Sequence, residues 1–418
     1  MDSKDKGENV KNIGQDIDMQ TCLVGGNWNN GSIAGAFTLN LNNSRANSNN
    51  NVGGRDCIAN PEISSDNTGN RGICCPAISE INQSAFLSSN AENQSTSKRV
   101  GNLYDKTFTL ENLHEAYLIA RKGKRKKPHT YAFEINLGQN LADLYDELKD
   151  GIYKPQPYRQ FEVYEPKKRV INAPHFRDLV VQHAIYKEIY EVFDKSFIDH
   201  AYACRKGKGT HKASEYTQKE MRKYSGELYS LKLDIKKYFY SIDRGILRGL
   251  FEKKIKDKRF VDLMCEFTKM GGDIGIPIGN LLSQIYASIY MNETDHFVKR
   301  ALKVKSYVRY VDDFILIGLT LDEAKSHKET LEKFVKNRLN LELSHWTIAK
   351  IKRGINFVGY RTWKSKKFVR KHSMYKFKKA VKTKNIKSIA SLFGHAKGTD
   401  TMPYYQNIIK KEELCIAI

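Results

Sequence analysis

Cysteine is sparse in this chain, with seven residues at 22, 57, 74, 75, 204, 265 and 415. They form no CxxC pair and no Cys/His metal spacing, which excludes a disulfide framework or zinc knuckle and fits free thiols in a reducing cytoplasm. Long apolar runs are also missing: no stretch approaches the ~18 residues a membrane helix needs. Residues 1–18 are polar and charged without a signal-peptide core, so a cytoplasmic location without membrane association is expected. Acid is scarce relative to base. Lys+Arg number 70 against 47 Asp+Glu, a formal net charge of +23. That excess predicts a polyanionic partner, most simply nucleic acid.

The charge is unevenly spread. Residues 1–100 carry 8 Lys/Arg and 10 Asp/Glu, so all of the excess lies after them. The same segment holds 18 Asn, 12 Ser and 10 Gly, and its middle has no period that would bury a face. It cannot offset its ordering entropy alone and is expected to be a disordered leader. From residue 110 onward the pattern changes. Helical stripes are predicted over 110–120 (Leu110, Leu113, Tyr117, Ala120, with Thr109 as N-cap), 141–149 and 180–193. Strands are predicted at 228–235, 307–311 and 314–317. This mixed order indicates an α+β fold rather than a regular βαβ array.

Two of the strands carry carboxylates. Tyr-Val-Asp-Asp at 310–313 sits between apolar runs and is predicted to form a hairpin tip with Asp312 and Asp313 side by side. Like charges so close need a cation or a proton between them. In the strand at 228–235, Tyr229, Leu231, Leu233 and Ile235 make one apolar face, leaving Ser230, Lys232 and Asp234 on the other. If that strand lies beside the hairpin, three carboxylates meet at one sheet edge, a ligand set suited to Mg²⁺.

These motifs resemble those of reverse transcriptases. YVDD at 310–313, DIKKYF at 234–239, GIPIGNLLSQ at 275–284, INFVGY at 355–360, PKKR at 166–169 and DLVVQHA at 178–184 occur in that family's order. The likeness spans residues 105–418. Within the family, the Ser-Gln ending at 283–284 and INFVGY are most similar to the enzymes of diversity-generating retroelements. YACRKGKGTH at 202–211 fits group II intron enzymes equally well.

The resemblance implies a right-hand polymerase fold, with fingers and palm over residues 101–360 and a basic thumb over 361–418. It implies two Mg²⁺ ions held by Asp234, Asp312 and Asp313 with the backbone carbonyl of Ile235. Phe239 takes the position that excludes a ribose 2′-hydroxyl. Lys167, or Lys168 beside it, and Arg169 match the residues that clamp the incoming triphosphate. Gly279 lets backbone approach the nucleotide, and Gln284 bonds to its base or sugar. Ile278 stands where many relatives place a glutamine against the nascent base pair, and an apolar branch there removes a polar check. Errors at template adenines are the expected result. A lysine that would protonate pyrophosphate is missing from 341–347, leaving His345, Lys350, Lys352 or no residue.

Implied partners are template RNA, the cDNA or primer strand, dNTPs and a basic accessory helical-bundle oligomer. Residues 361–399 hold 13 Lys/Arg and no acid, interleaved with Trp363, Phe368, Tyr375 and Phe377, as a backbone-gripping surface would. Residues 25–56 resemble the Asn-rich end of the proteins these retroelements diversify, so the leader reads as template repeat translated in frame. Two rival readings remain: a group II intron or retron-type reverse transcriptase of ordinary fidelity, and a non-catalytic RNA-binding protein.

Overall fold

The computed structural model describes residues 98–164 and 168–412; the Asn-rich segment and Lys167 lie outside them. Helices α1 (Leu103–Thr107), α2 (Leu110–Ala120), α3 (Pro128–Ile135) and α4 (Leu137–Lys149) come first, followed by an antiparallel ribbon of β1 (Arg159–Val163) and β2 (Arg169–Ala173). Thr109 caps α2 as expected, its hydroxyl accepting from Asn112 N at 3.2 Å. Leu110 does not join the buried stripe. It is 45% exposed, and Ala116 is buried with Leu113, Tyr117 and Ala120 instead. Val100 also departs from the leader assignment: its amide donates to Lys254 O at 2.8 Å and its carbonyl accepts from Lys256 N at 2.7 Å.

Next come α5 (Phe176–Asp194), α6 (Thr210–Arg222), β3 (Tyr229–Ile235), α7 (Tyr238–Ser241), α8 (Arg244–Glu252), α9 (Lys258–Glu266) and α10 (Leu281–His296). The hairpin β4 (Ser306–Tyr310) and β5 (Asp313–Leu319) leads through α11 (Leu321–Leu339) to β6 (Leu343–Lys350). These strands build one antiparallel sheet in the order β4-β5-β3-β6. β3 is thus an inner strand, and its apolar Leu231, Leu233 and Ile235 are buried on the predicted face. Ser230, assigned to the open face, is also buried, with its hydroxyl donating to Ala349 O at 3.4 Å. A capping box of Thr320 and Glu323 starts α11, which packs on β3, β5 and β6.

A smaller sheet of β7 (Ile355–Phe357), β8 (Tyr360–Thr362) and β9 (Lys367–Val369) follows, then α12 (Lys371–Lys382), α13 (Ile386–Ala396) and α14 (Met402–Lys411). The boundary expected at 360/361 falls inside β8, whose two neighbours hold it from both sides. Phe377 belongs to the interior rather than to a gripping surface. It is fully buried and stacks on Tyr405 with ring centroids 3.6 Å apart.

Candidate active site

Strands β4 and β5 pair through Tyr310 and Asp313, so Val311 and Asp312 alone make the turn. Neither Asp takes the left-handed backbone of this tip; Val311 does, with φ 57°. A β-branched residue in the left-handed region is held there against its preference. On the other side of β5, Leu233 of β3 pairs with Phe314, so one further step brings Asp234 level with Asp313. The carboxylates therefore gather at one end of the sheet.

Their electrostatics separate them. Burial, then the negative charge of Asp234 and of Asp313, push the Asp312 carboxyl well above the usual carboxylate range, against the pull of Arg169. Arg169 on β2 is thereby placed within electrostatic reach of the turn. Asp234 accepts from the Ser344 hydroxyl at 2.8 Å, a neighbour from β6 that sequence reasoning missed. Asp313 is different. Its Oδ2 accepts from Lys232 Nζ at 2.8 Å, with both side chains mostly buried, and Lys232 also donates to Asn356 O at 3.1 Å. Its Oδ1 is buried without a partner, as is the Nε of Arg370, which feels the Asp313 charge from the start of α12.

Among the described residues, no three His, Cys, Asp or Glu side chains form a ready metal cluster. The Lys232 ammonium on one oxygen of Asp313 sets this carboxylate apart from Asp234 and Asp312. The remaining pair still fits a divalent cation. Two carboxylates crowded until one holds its proton far above the normal range are relieved when a cation sits between them. Ile235, whose carbonyl was expected to add a ligand, is buried and paired with Leu343 of β6.

The segment 275–284 meets this edge through backbone bonds. Gly275 N donates to Ile242 O at 2.7 Å and Ile276 N to Phe239 O at 2.8 Å, so the two motifs share one corner. Phe239 is partly buried there, its ring edge-on to Tyr238. Asn172 N on β2 donates to Ile278 O at 2.6 Å. Gly279 has φ 106°, and a Cβ there would lie 2.7 Å from Ile171 Cγ2 and 3.0 Å from Asn172 O. The close approach this glycine permits is therefore to β2. Ile278 and Ile171 are buried yet stand outside the main apolar core. Gln284 is 8% exposed, and its Oε1 accepts from the Cys204 thiol at 3.6 Å. Burial pushes that thiol up to about 12, so it remains a donor. Gln284 is thus engaged within the protein.

Other expected residues are sorted by register. His345 lies opposite Asp234 and is exposed, whereas Lys350 lies opposite Tyr229, five residues along. At about 3.3 Å per residue that is roughly 16 Å from Asp234. Lys350 and Lys352 both pair with Glu227, at 2.7 and 2.9 Å, and leave His345 as the one candidate beside the carboxylates. Lys168 pairs with Glu162 at 2.7 Å on the exposed ribbon. Lys232 was missed as a partner, although strand alternation had placed it on the same face as Asp234.

Residues 152–362 match the model of the reverse transcriptase (RNA-dependent DNA polymerase) family. The chain is 25% identical over 280 residues to the group II intron-encoded protein LtrA of Lactococcus lactis, covering 49% of this chain and 46% of that protein. It is 26% identical over 302 residues to protein YkfC of Escherichia coli, covering 60% and 76%. The chain spans about half the length of the LtrA relative it matches. A solved telomerase from Candida albicans, in complex with a fragment of telomeric RNA, aligns with a TM-score of 0.41 at 10% identity, covering 69% of this chain and 60% of that one. With the family model covering half of its length, this chain belongs to the reverse transcriptase family.

Proposed function

We propose that the chain is an RNA-directed DNA polymerase whose reaction centre is Asp234 and Asp312. The observation that carries this reading is the mutual charge crowding of these two carboxylates at the end of an antiparallel sheet, with the Arg169 cation in reach. In this reading the four-stranded sheet is the palm, the β1–β2 ribbon belongs to the fingers, and α12–α14 form the basic thumb. Asp234, Asp312 and the Ile235 carbonyl would hold Mg²⁺. Two such ions, when bound, supply activation of a primer 3′-hydroxyl and charge stabilisation of leaving pyrophosphate. Arg169 and Lys167 bind the triphosphate of the incoming dNTP, Phe239 excludes the ribose 2′-hydroxyl, and His345 is the group positioned to hand on a proton. Template RNA and the primer strand lie along the Lys/Arg-rich face of residues 361–399.

The narrower reading is an error-prone enzyme of a diversity-generating retroelement, assisted by a basic helical-bundle oligomer. Its support is Ile278, an apolar side chain buried outside the main core, with its carbonyl held by the Asn172 amide. A pocket wall without hydrogen-bonding groups discriminates poorly between base pairs. A group II intron-type enzyme of ordinary fidelity is the second reading, favoured by the similarity to LtrA. Extension of a DNA primer on a defined RNA, followed by sequencing of the product, separates them. The first reading predicts errors concentrated at template adenines and reduced by Ile278→Gln. Accurate copying, unchanged by that substitution, overturns it in favour of the second, and no extension overturns both.

A further inference from the structure

A second group of charges centres on Arg309, two residues before the turn, buried where the carboxylate pair does not need it for neutrality. Arg309 is 1% exposed and Asp295 0%. The guanidinium grips Asp295 with both ends: Nε donates to Oδ1 at 2.7 Å and Nη2 to Oδ2 at 2.6 Å. The Tyr307 hydroxyl adds a third bond, to Asp295 Oδ1, at 2.7 Å. Asp295 stands near the end of α10, which is buried along most of its length and packs against α5, α8 and α11. The remaining guanidinium nitrogen, Nη1, donates to the carbonyl of Val311 at 2.9 Å.

That last bond gives the cluster a use. Val311 is the residue held at φ 57°, and its carbonyl belongs to the peptide that carries Asp312. The main chain of Arg309 is pinned too, its amide to His200 O and its carbonyl to Tyr202 N, each at 3.0 Å. A buried ion pair is a weak device for stability, since apolar residues of equal volume often serve as well or better. It is a good device for fixing one geometry, because the guanidinium fork accepts few alternatives.

We propose that Arg309 is a positioning residue for Asp312. Anchored on Asp295 and steadied by Tyr307, it locks the Val311 carbonyl so that the strained turn keeps the Asp312 carboxylate beside Asp234. This rests on the reading of that pair as the cation-binding reaction centre. Without the lock, the turn relaxes into other backbone states and the competent fraction falls. Cation affinity falls by the same factor, while contacts to the incoming nucleotide are untouched.

The test uses the full chain with Arg309→Met/Asp295→Leu, which removes both charges at similar volume, and with Tyr307→Phe, which removes one hydroxyl. Fold is followed by circular dichroism, Mn²⁺ binding by electron paramagnetic resonance without nucleotide, and primer extension by single-turnover rate. The double variant is expected to fold, with Mn²⁺ half-saturation raised about tenfold, extension at subsaturating Mn²⁺ slowed about tenfold, and the dNTP concentration dependence unchanged. Tyr307→Phe should move the same quantities in the same direction by about threefold. A folded double variant that binds Mn²⁺ and extends like wild type overturns the proposal. If the double variant does not fold, an unaltered Tyr307→Phe overturns it. Failure of the wild-type chain itself to bind Mn²⁺ or extend refutes the reaction-centre reading instead, so the two failures are distinguishable.

Discussion

Replacing Lys232 with Met leaves the Asp313 carboxylate without its cation in a largely enclosed site. The Lys232 and Asp313 side chains are 14% and 12% exposed, and the second oxygen of Asp313 is already without a partner. Removing one member of a buried pair costs about 3–5 kcal/mol, and the residual exposure and the Arg370 charge favour the low end, about 3 kcal/mol. For a folded body of this size that lowers Tm by roughly 5 °C. Adding Asp313→Asn removes the stranded charge, so the double variant should recover most of the loss, to within about 1 kcal/mol of wild type. Thermal unfolding followed by circular dichroism in metal-free buffer measures this, because a divalent cation would stand in for the missing ammonium. If Lys232→Met leaves Tm unchanged, or Asp313→Asn fails to restore it, Lys232 does not neutralise Asp313.

Gly279→Ala should reduce primer extension about tenfold or more, since a strained φ of 106° and a Cβ 2.7 Å from Ile171 push β2 away from the reaction centre; Gly398→Ala, with φ +70° but open space around it, is the control for backbone strain alone. The His395 imidazole is held down to about 4 by burial and the His211 charge, while the unfolded chain protonates near its ordinary value of about 6.5. Stability is therefore full above about pH 6.5 and declines as pH falls below it, by at most about 1.4 kcal/mol per pH unit. His395→Gln, which keeps an acceptor for the Tyr360 hydroxyl and does not titrate, should flatten Tm against pH between 7 and 5. Deleting residues 1–97, and no further because Val100 bonds to Lys254 and Lys256, should leave extension within about twofold if the Asn-rich leader has no enzymatic role.

Much of this site was legible in the order of residues. Alternation in β3 put Lys232 and Asp234 on one face, because a period of two has few alternatives in a half-buried strand, and the apolar runs flanking Asp312 and Asp313 located the hairpin of β4 and β5, which is buried almost throughout. What alternation cannot express is which charges meet. Lys232 could have pointed to solvent; it reaches Asp313 only because β5 lies next to β3 in this register. Arg309 was legible in a weaker sense, as a charge inside a strand buried along its whole length, but its partner Asp295 comes from a helix 14 residues upstream. What Gly279 packs against was hidden for a similar reason. A positive φ signals a close approach but not to what, and here the neighbour is the β2 backbone. Basic and aromatic content over 361–399 likewise hid two different materials, since Phe377 is interior and Tyr375 is 66% exposed.

The most direct measurement is Asp312→Asn, assayed for primer extension on an RNA template and for thermal stability. Burial and the charge of Asp234 push the Asp312 carboxyl well above the usual carboxylate range, so its charged form is a cost to folding. The account predicts extension reduced at least about a thousandfold together with an equal or higher Tm. Extension within about tenfold of wild type, in a variant that folds, would contradict it.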